Sequence, residues 1–140
     1  MSYLLDTSVI SELVKKSPHL PVLKWIGEQD ETTLYLSVVT IGELEKGIAR
    51  LPASARKARL QSWVRRDLVE RFGERLLAVY LQAATRWGTY SGESEKRGQP
   101  LPVIDSLIAA TASVHGLAVV TRNVEDFERC GVTCVNPWDQ

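Results

Sequence analysis

Tyr3-Leu4-Leu5-Asp6-Thr7-Ser8-Val9-Ile10-Ser11-Glu12 holds a complete structural phrase. Tyr3–Leu5 is a short apolar run of the kind that forms a buried strand. Asp6, Thr7 and Ser8 are residues that end strands and start helices. Val9, Ile10, Leu13 and Val14 then recur at helical spacing and stop before Ser17-Pro18. The phrase is strand, acid, helix.

The same grammar recurs along the chain. Pro21 to Gln29 reads as a helix, with proline in its first turn. Leu34–Ser37 reads as the second strand. Thr40 to Arg50 follows as a helix, with Ile41, Leu44, Ile48 and Leu51 on one face. Ala53 to Phe72 reads as a long helix that stops at Gly73. Leu76–Val79 is a third strand candidate, and Leu81 to Lys96 a helix interrupted by Gly88 and Gly92. Gly98 to Pro102 is a loop. Val103 to His115 is apolar nearly all round, as a buried central helix would be. Leu117–Val120 and Val132–Val135 complete the strands. Alternating strands and helices predict an α/β fold, with a mainly parallel central sheet flanked by helices, in a single domain over residues 1–140.

A parallel sheet delivers the residue after each strand to one edge, the carboxyl end. Asp6, Glu43, Asp105 and the Asn123/Asp126 pair each lie at or just past a short apolar run. They are expected to meet in one cleft, although they are scattered from one end of the chain to the other. Such a cleft repels itself unless a cation is present. Hard oxygen donors suit Mg²⁺ or Mn²⁺.

Each acid taken alone also has a local explanation. Asp6 precedes a helix and could cap it. Thr40-Ile41-Gly42-Glu43 fits a capping box, with Thr40 as cap and Glu43 reaching back. Asp105 suits a helix dipole, and Asn123 with Asp126 resembles another cap. Capping, however, predicts acids at helix starts anywhere on the surface. It does not predict a charge at the start of so apolar a helix as the one containing Asp105.

Composition narrows the classes. The chain has 140 residues, 44% hydrophobic and 24% charged, and 17 basic side chains balance 17 acidic ones. Any nucleic-acid contact must therefore be local rather than a global field. Cys130 and Cys134 lack partners for a zinc site and suit free thiols in a reducing cytosol. The N-terminus meets an acid at once, unlike a signal peptide. The apolar stretch from Leu107 to Val120 is too short to cross a membrane. The expectation is a cytoplasmic protein.

The acidic motifs carry a resemblance. Leu4-Leu5-Asp6-Thr7-Ser8-Val9-Ile10-Ser11-Glu12 resembles the opening motif of PIN-domain nucleases. Leu36-Ser37 with Thr40-Ile41-Gly42-Glu43-Leu44 and Gly47 resembles their second motif. Asp105-Ser106-Leu107-Ile108-Ala109-Ala110-Thr111-Ala112 resembles the third, and Val120-Thr121-Arg122-Asn123 with Asp126-Phe127 the fourth. Val135-Asn136-Pro137-Trp138 is similar to the ending of VapC-type toxins, especially the FitB-like branch. The match runs in order over essentially the whole chain.

The resemblance implies a PIN-like fold and a metal-dependent endoribonuclease. It would be the toxin of a bacterial toxin–antitoxin pair, with a small antitoxin as partner and a homodimer as its own assembly. Asp6, Glu43 and Asp105 carry over as metal-binding acids, and Thr7 as a hydroxyl that orients acids or water. Ser8 stands where the family often has Asn, and Asn123 where it often has Asp. The fourth position is therefore open. The catalytic acid expected there is Asp126, with Asn123 a neutral oxygen donor to the metal or to water and Thr121 and Arg122 in support. Arg122 could also clamp a phosphate.

The basic residues from Arg56 to Arg71 read as a solvated face interleaved with Asp67 and Glu70. His19 and His115 have no positioned partner, and Trp25, Trp63 and Trp87 read as core or interface. Arg86 is a weaker phosphate candidate. A phosphoacceptor module would need an Asp after the third strand and a Lys after the fourth, and neither is present. A two-Asp phosphatase would need a second Asp in Asp6-Thr7-Ser8. A non-catalytic docking protein stays open, because of Asn123.

Overall fold

The computed structural model describes residues 1–139. Five parallel strands form one sheet: β1 (Tyr3–Leu5), β2 (Leu34–Ser37), β3 (Leu76–Leu77), β4 (Ala118–Val120) and β5 (Cys134–Val135), in the order β3-β2-β1-β4-β5. The chain builds outward from β1 to one side and then returns to build the other. The switch falls between β1 and β4, where Leu5 pairs with Val120. In open α/β sheets this is the place where ligands bind.

Alternation along each strand feeds two cores. Leu5, Leu34, Leu36 and Val120 point to one face, with Val9, Ile10, Val22, Leu44 and Val64. Leu4 and Val119 point to the other, against Ile108, Ala109, Ala112 and Phe127. Both faces are covered, as parallel sheets require. Two glycine-interrupted or apolar segments form the helices the sequence predicts: α6 (Leu81–Lys96) and α7 (Val103–His115). Gly116 ends α7 at φ 67°, in the left-handed region that favours glycine.

The remaining helices are α1 (Thr7–Leu13), α2 (Leu20–Gly27), α3 (Val38–Ala49), α4 (Ala55–Ser62), α5 (Val69–Phe72) and α8 (Val124–Glu128). The expected single helix from Ala53 to Phe72 is only partly regular. A π-helical stretch, Trp63–Leu68, joins α4 to α5 and places Val64 and Leu68 in the core. Pro102-Val103-Ile104 is not a strand: Val103 opens α7, so Asp105 is carried by the first turn of a helix. Of the basic residues on α4 and the π stretch, Arg65 forks onto Glu45, and Lys57 donates to the carbonyls of Ala49 and Leu51. Arg71, on α5, pairs with Glu31. Among the described residues, no helix is long and apolar enough to cross a membrane.

Candidate active site

Asp6 leaves β1 at the switch point. Its backbone N–H donates to the Val120 carbonyl, which extends the β1–β4 pairing by one step. It occupies the cap position of α1, yet its side chain caps nothing. The Asp6 carboxylate is only 2% exposed. Its Oδ2 instead accepts two hydroxyls, from Ser8 and Thr121, each at 2.8 Å. Thr121 is the residue after β4 and is fully buried. Its Oγ1 also accepts the Asn123 backbone N–H at 2.9 Å. The Ser8 hydroxyl lies 3.4 Å from the Arg122 backbone N–H, which donates to it. Two strand ends therefore share one carboxylate oxygen and leave the other, Oδ1, without a donor among the described residues.

Glu43 corrects a local expectation. The capping box predicted from Thr40 does not form, because α3 starts earlier. Ser37 ends β2 and its hydroxyl caps α3 by accepting the Val39 N–H at 3.1 Å. Glu43 thus lies in the second turn of α3. Thr7 donates to Glu43 Oε1 at 2.6 Å. The Thr7 and Thr40 hydroxyls lie 3.0 Å apart. Thr7 has one proton and gives it to Glu43, so Thr40 is the donor in that pair. A buried hydroxyl, a second hydroxyl and a carboxylate form a directed chain, and each bond polarises the next.

Asp105 is half-buried on the first turn of α7 and, among the described residues, has no hydrogen-bond or ion-pair partner. Its pKa is raised from 3.8 to about 7, first by burial and then by the negative charges of Asp6, Asp126 and Glu43. The four acids therefore share one field. Ser106 beside it accepts the Trp87 indole N–H at 3.0 Å and donates to the carbonyls of Pro102 and Val103. These bonds fix the turn that carries Asp105.

The fourth position is divided. Asn123 is exposed at the cap position of α8, but its side chain does not cap it, contrary to expectation. Asp126 is half-buried one turn on. It pairs loosely with Arg129 at 3.6 Å, and it is the acid in this motif whose charge reaches Asp105. Among the described residues, no three acidic, histidine or cysteine side chains already stand as a closed metal cage. The donor set nevertheless suits a hard cation. Among the described residues, Asp6 Oδ1, Glu43 Oε2 and both Asp105 oxygens have no donor, and all four are hard oxygens.

The PIN domain family profile matches residues 3–132. The chain belongs to the PIN-domain family. It is 38% identical to the VapC ribonuclease Y4jK of Sinorhizobium fredii, over 96% of each chain. It is 32% identical to the toxin FitB of Neisseria gonorrhoeae, over 96% of this chain and 97% of that one. The solved FitAcB structure from Neisseria gonorrhoeae superposes with a TM-score of 0.91 at 31% identity, covering 99% of both chains. DNA-bound VapBC from Salmonella typhimurium follows at 0.77 and 28%, covering 98% of both.

Several residues around this PIN-domain site have no signal in a local pattern. Thr40 fits a cap in the local pattern, and its role depends on where β2 ends. Ser8 replaces a common Asn and keeps a hydroxyl on Asp6. Trp87 is held at the Asp105 turn rather than only in a core, and Arg86 donates to the Ser113 hydroxyl at 2.8 Å. Trp25 packs edge-on to Tyr3, and Trp63 against the first core. Cys130 and Cys134 are free thiols, and burial pushes both up, Cys134 to about 11.

Proposed function

We propose that this PIN-domain protein is a metal-dependent endoribonuclease and the toxin of a toxin–antitoxin pair. The observation that carries this reading is the position of Asp105: half-buried in the field of Asp6, Asp126 and Glu43, it has no cationic partner among the described residues. The family and the ribonuclease and toxin names of its relatives support the same reading.

In it, Asp6, Glu43 and Asp105 hold Mg²⁺ or Mn²⁺ through their free oxygens. A bound cation would supply an acidified water and stabilise the leaving oxygen. Thr121 and Ser8 fix Asp6, and Thr7 fixes Glu43, so the carboxylates need not reorganise when phosphate arrives. Asp126 supplies the fourth charge, and Asn123 orients water. The N-termini of α1 and α7 add positive potential for the scissile phosphate. The products expected are a 5′-phosphate and a 3′-hydroxyl.

The partner is a small protein whose Arg or Lys enters the acidic cleft in place of the cation. A second copy of this chain completes the assembly. Incubating purified protein with total RNA, with and without Mn²⁺, followed by end mapping, tests the reading. Cleavage with Mn²⁺ that stops in EDTA is expected. Undiminished cleavage in EDTA refutes the metal, and no cleavage of any RNA refutes the nuclease.

A further inference from the structure

Beside the acidic cleft lies a second depression of about 940 Å³, lined by Lys15, His19, Arg122, Asn136 and Trp138 among others. Its two acids are already engaged. Glu12 is 3% exposed. It accepts the Trp138 indole N–H at 3.1 Å and pairs with Lys15 at 3.2 Å. Burial alone would raise the Glu12 pKa, but these two donors outweigh it and hold it below the usual carboxylate range. Asp139 accepts from the Asn136 amide at 3.2 Å.

Arg122 is different. Among the described residues its guanidinium has no carboxylate and no hydrogen-bond acceptor. It lies over the Trp138 ring, 5.6 Å from the centroid. Stacking holds a guanidinium flat while leaving its N–H fork free for a planar or tetrahedral anion. The Arg122 backbone is tied to the cleft, because its N–H donates to the hydroxyl of Ser8, which donates to Asp6. A cation is thus seated on a locked aromatic platform, two hydrogen bonds from a candidate metal ligand.

We propose that this groove is a subsite for the RNA strand beside the scissile bond, in which Arg122 takes the neighbouring backbone phosphate and Trp138, locked by buried Glu12, positions it. The inference rests on the proposed ribonuclease reading and names where its substrate continues. The occupant is RNA rather than an acidic peptide, because Arg122 lines the groove while its backbone N–H is bound to the Ser8 hydroxyl that seats Asp6, so the two sites adjoin through one residue. A strand crossing both needs its phosphates met by a cation on either side of the break. Lys15 and His19 line the same groove, but Lys15 is already paired with Glu12, which leaves Arg122 as the groove's phosphate-binding cation.

The test is binding without cleavage. The probe is fluorescein-labelled single-stranded RNA of random sequence, about 20 nucleotides long so that it spans both sites. It is titrated in EDTA at several salt concentrations. Arg122→Ala should weaken binding about tenfold, as for loss of a charge-assisted contact. It should also flatten the plot of log affinity against log salt by about 0.7, one phosphate's worth on a single strand. Arg122→Lys should restore the slope but only part of the affinity. Trp138→Phe keeps a ring and loses the bond to Glu12, and should give an intermediate affinity with an unchanged slope.

Arg122 is exposed, so its variants are expected to fold. An Arg122→Ala protein that binds with wild-type affinity and slope overturns the subsite, as does a wild-type chain that binds no RNA. If that variant keeps RNA but loses a protein partner, the groove belongs to the partner and the inference fails. The two readings separate cleanly. Wild-type cleavage in Mn²⁺ with unaltered Arg122→Ala binding sinks only the subsite. Absence of any cleavage with altered binding sinks only the nuclease.

Discussion

The two sides of the acidic cleft are built on opposite principles. The Asp6 side grows from strand ends. Its carboxylate is buried, accepts two hydroxyls at 2.8 Å, and is continuous with the β1–β4 pairing. The Asp105 side is carried on a helix turn. Its carboxylate has no donor among the described residues and sits in the field of three other acids. One side spends hydrogen bonds to hold an anion still. The other stores repulsion that only a cation or a proton relieves. A site that must bind a cation needs both, since a wholly satisfied set of carboxylates would have no free oxygen to offer.

The sharpest way to break this comparison is to neutralise each acid in turn. Asp6→Asn and Asp105→Asn should each reduce cleavage by about a hundredfold or more, since even supporting residues of metal sites cost 10–100-fold. Their stabilities should move in opposite directions. Asp6→Asn disturbs an oxygen with two donors and should lower Tm.

Asp105→Asn should raise it at pH 8. The folded pKa is raised from 3.8 to about 7, so the folded protein holds this proton more tightly than the unfolded chain. Stability from the protonated form is complete below the unfolded pKa and is lost as pH rises through about 7. The gain from Asn should therefore be greatest above pH 7 and fade toward pH 4. Thermal melts of both variants across that range check the signs. A Tm for Asp105→Asn below wild type at pH 8 would contradict the stored repulsion.

A smaller effect should come from Thr40. Thr40→Val keeps the shape and removes the proton that Thr40 gives Thr7. Cleavage should fall about tenfold, while Thr40→Ser restores it. A structural role alone would lower stability and leave cleavage by the folded Val variant unchanged.

The smallest expected contrast lies within the fourth motif. Asp126→Asn should weaken Mn²⁺ binding and cleavage more than Asn123→Ala, with little change in Tm for either, as both are near the surface. Isothermal titration with Mn²⁺ reads this directly. Equal, wild-type behaviour of both variants would leave a site of three acids.

Much of this is legible in the sequence. Leu34–Ser37 reads as a strand because its apolar run ends in a serine, and that serine proves to be the cap of the next helix. Val103 to His115 reads as central because almost every face is apolar. Leu81 to Lys96 holds as a helix through two glycines because its other residues outvote them. The misreadings are equally physical. Thr40 and Glu43 stand three apart, which fits a capping box and a hydroxyl relay alike; only the end of β2 decides. Nothing in the local pattern separates Asp126 from Asn123, since both stand at the start of the same short helix. The contact between Glu12 and Trp138 spans almost the whole chain, and no local pattern encodes such a distance.

The Asp6–Thr121 pair has a consequence in time. A ribosome makes the chain from its N-terminus. The first acid of the cleft therefore exists long before the hydroxyl that seats it, and before the strand whose carbonyl receives its N–H. Asp105 and Arg122 also arrive late. No stretch of the growing polypeptide holds a finished cleft until β4 has been made and docked beside β1. A nascent chain of this design carries its acids separately and assembles them only when synthesis is nearly over.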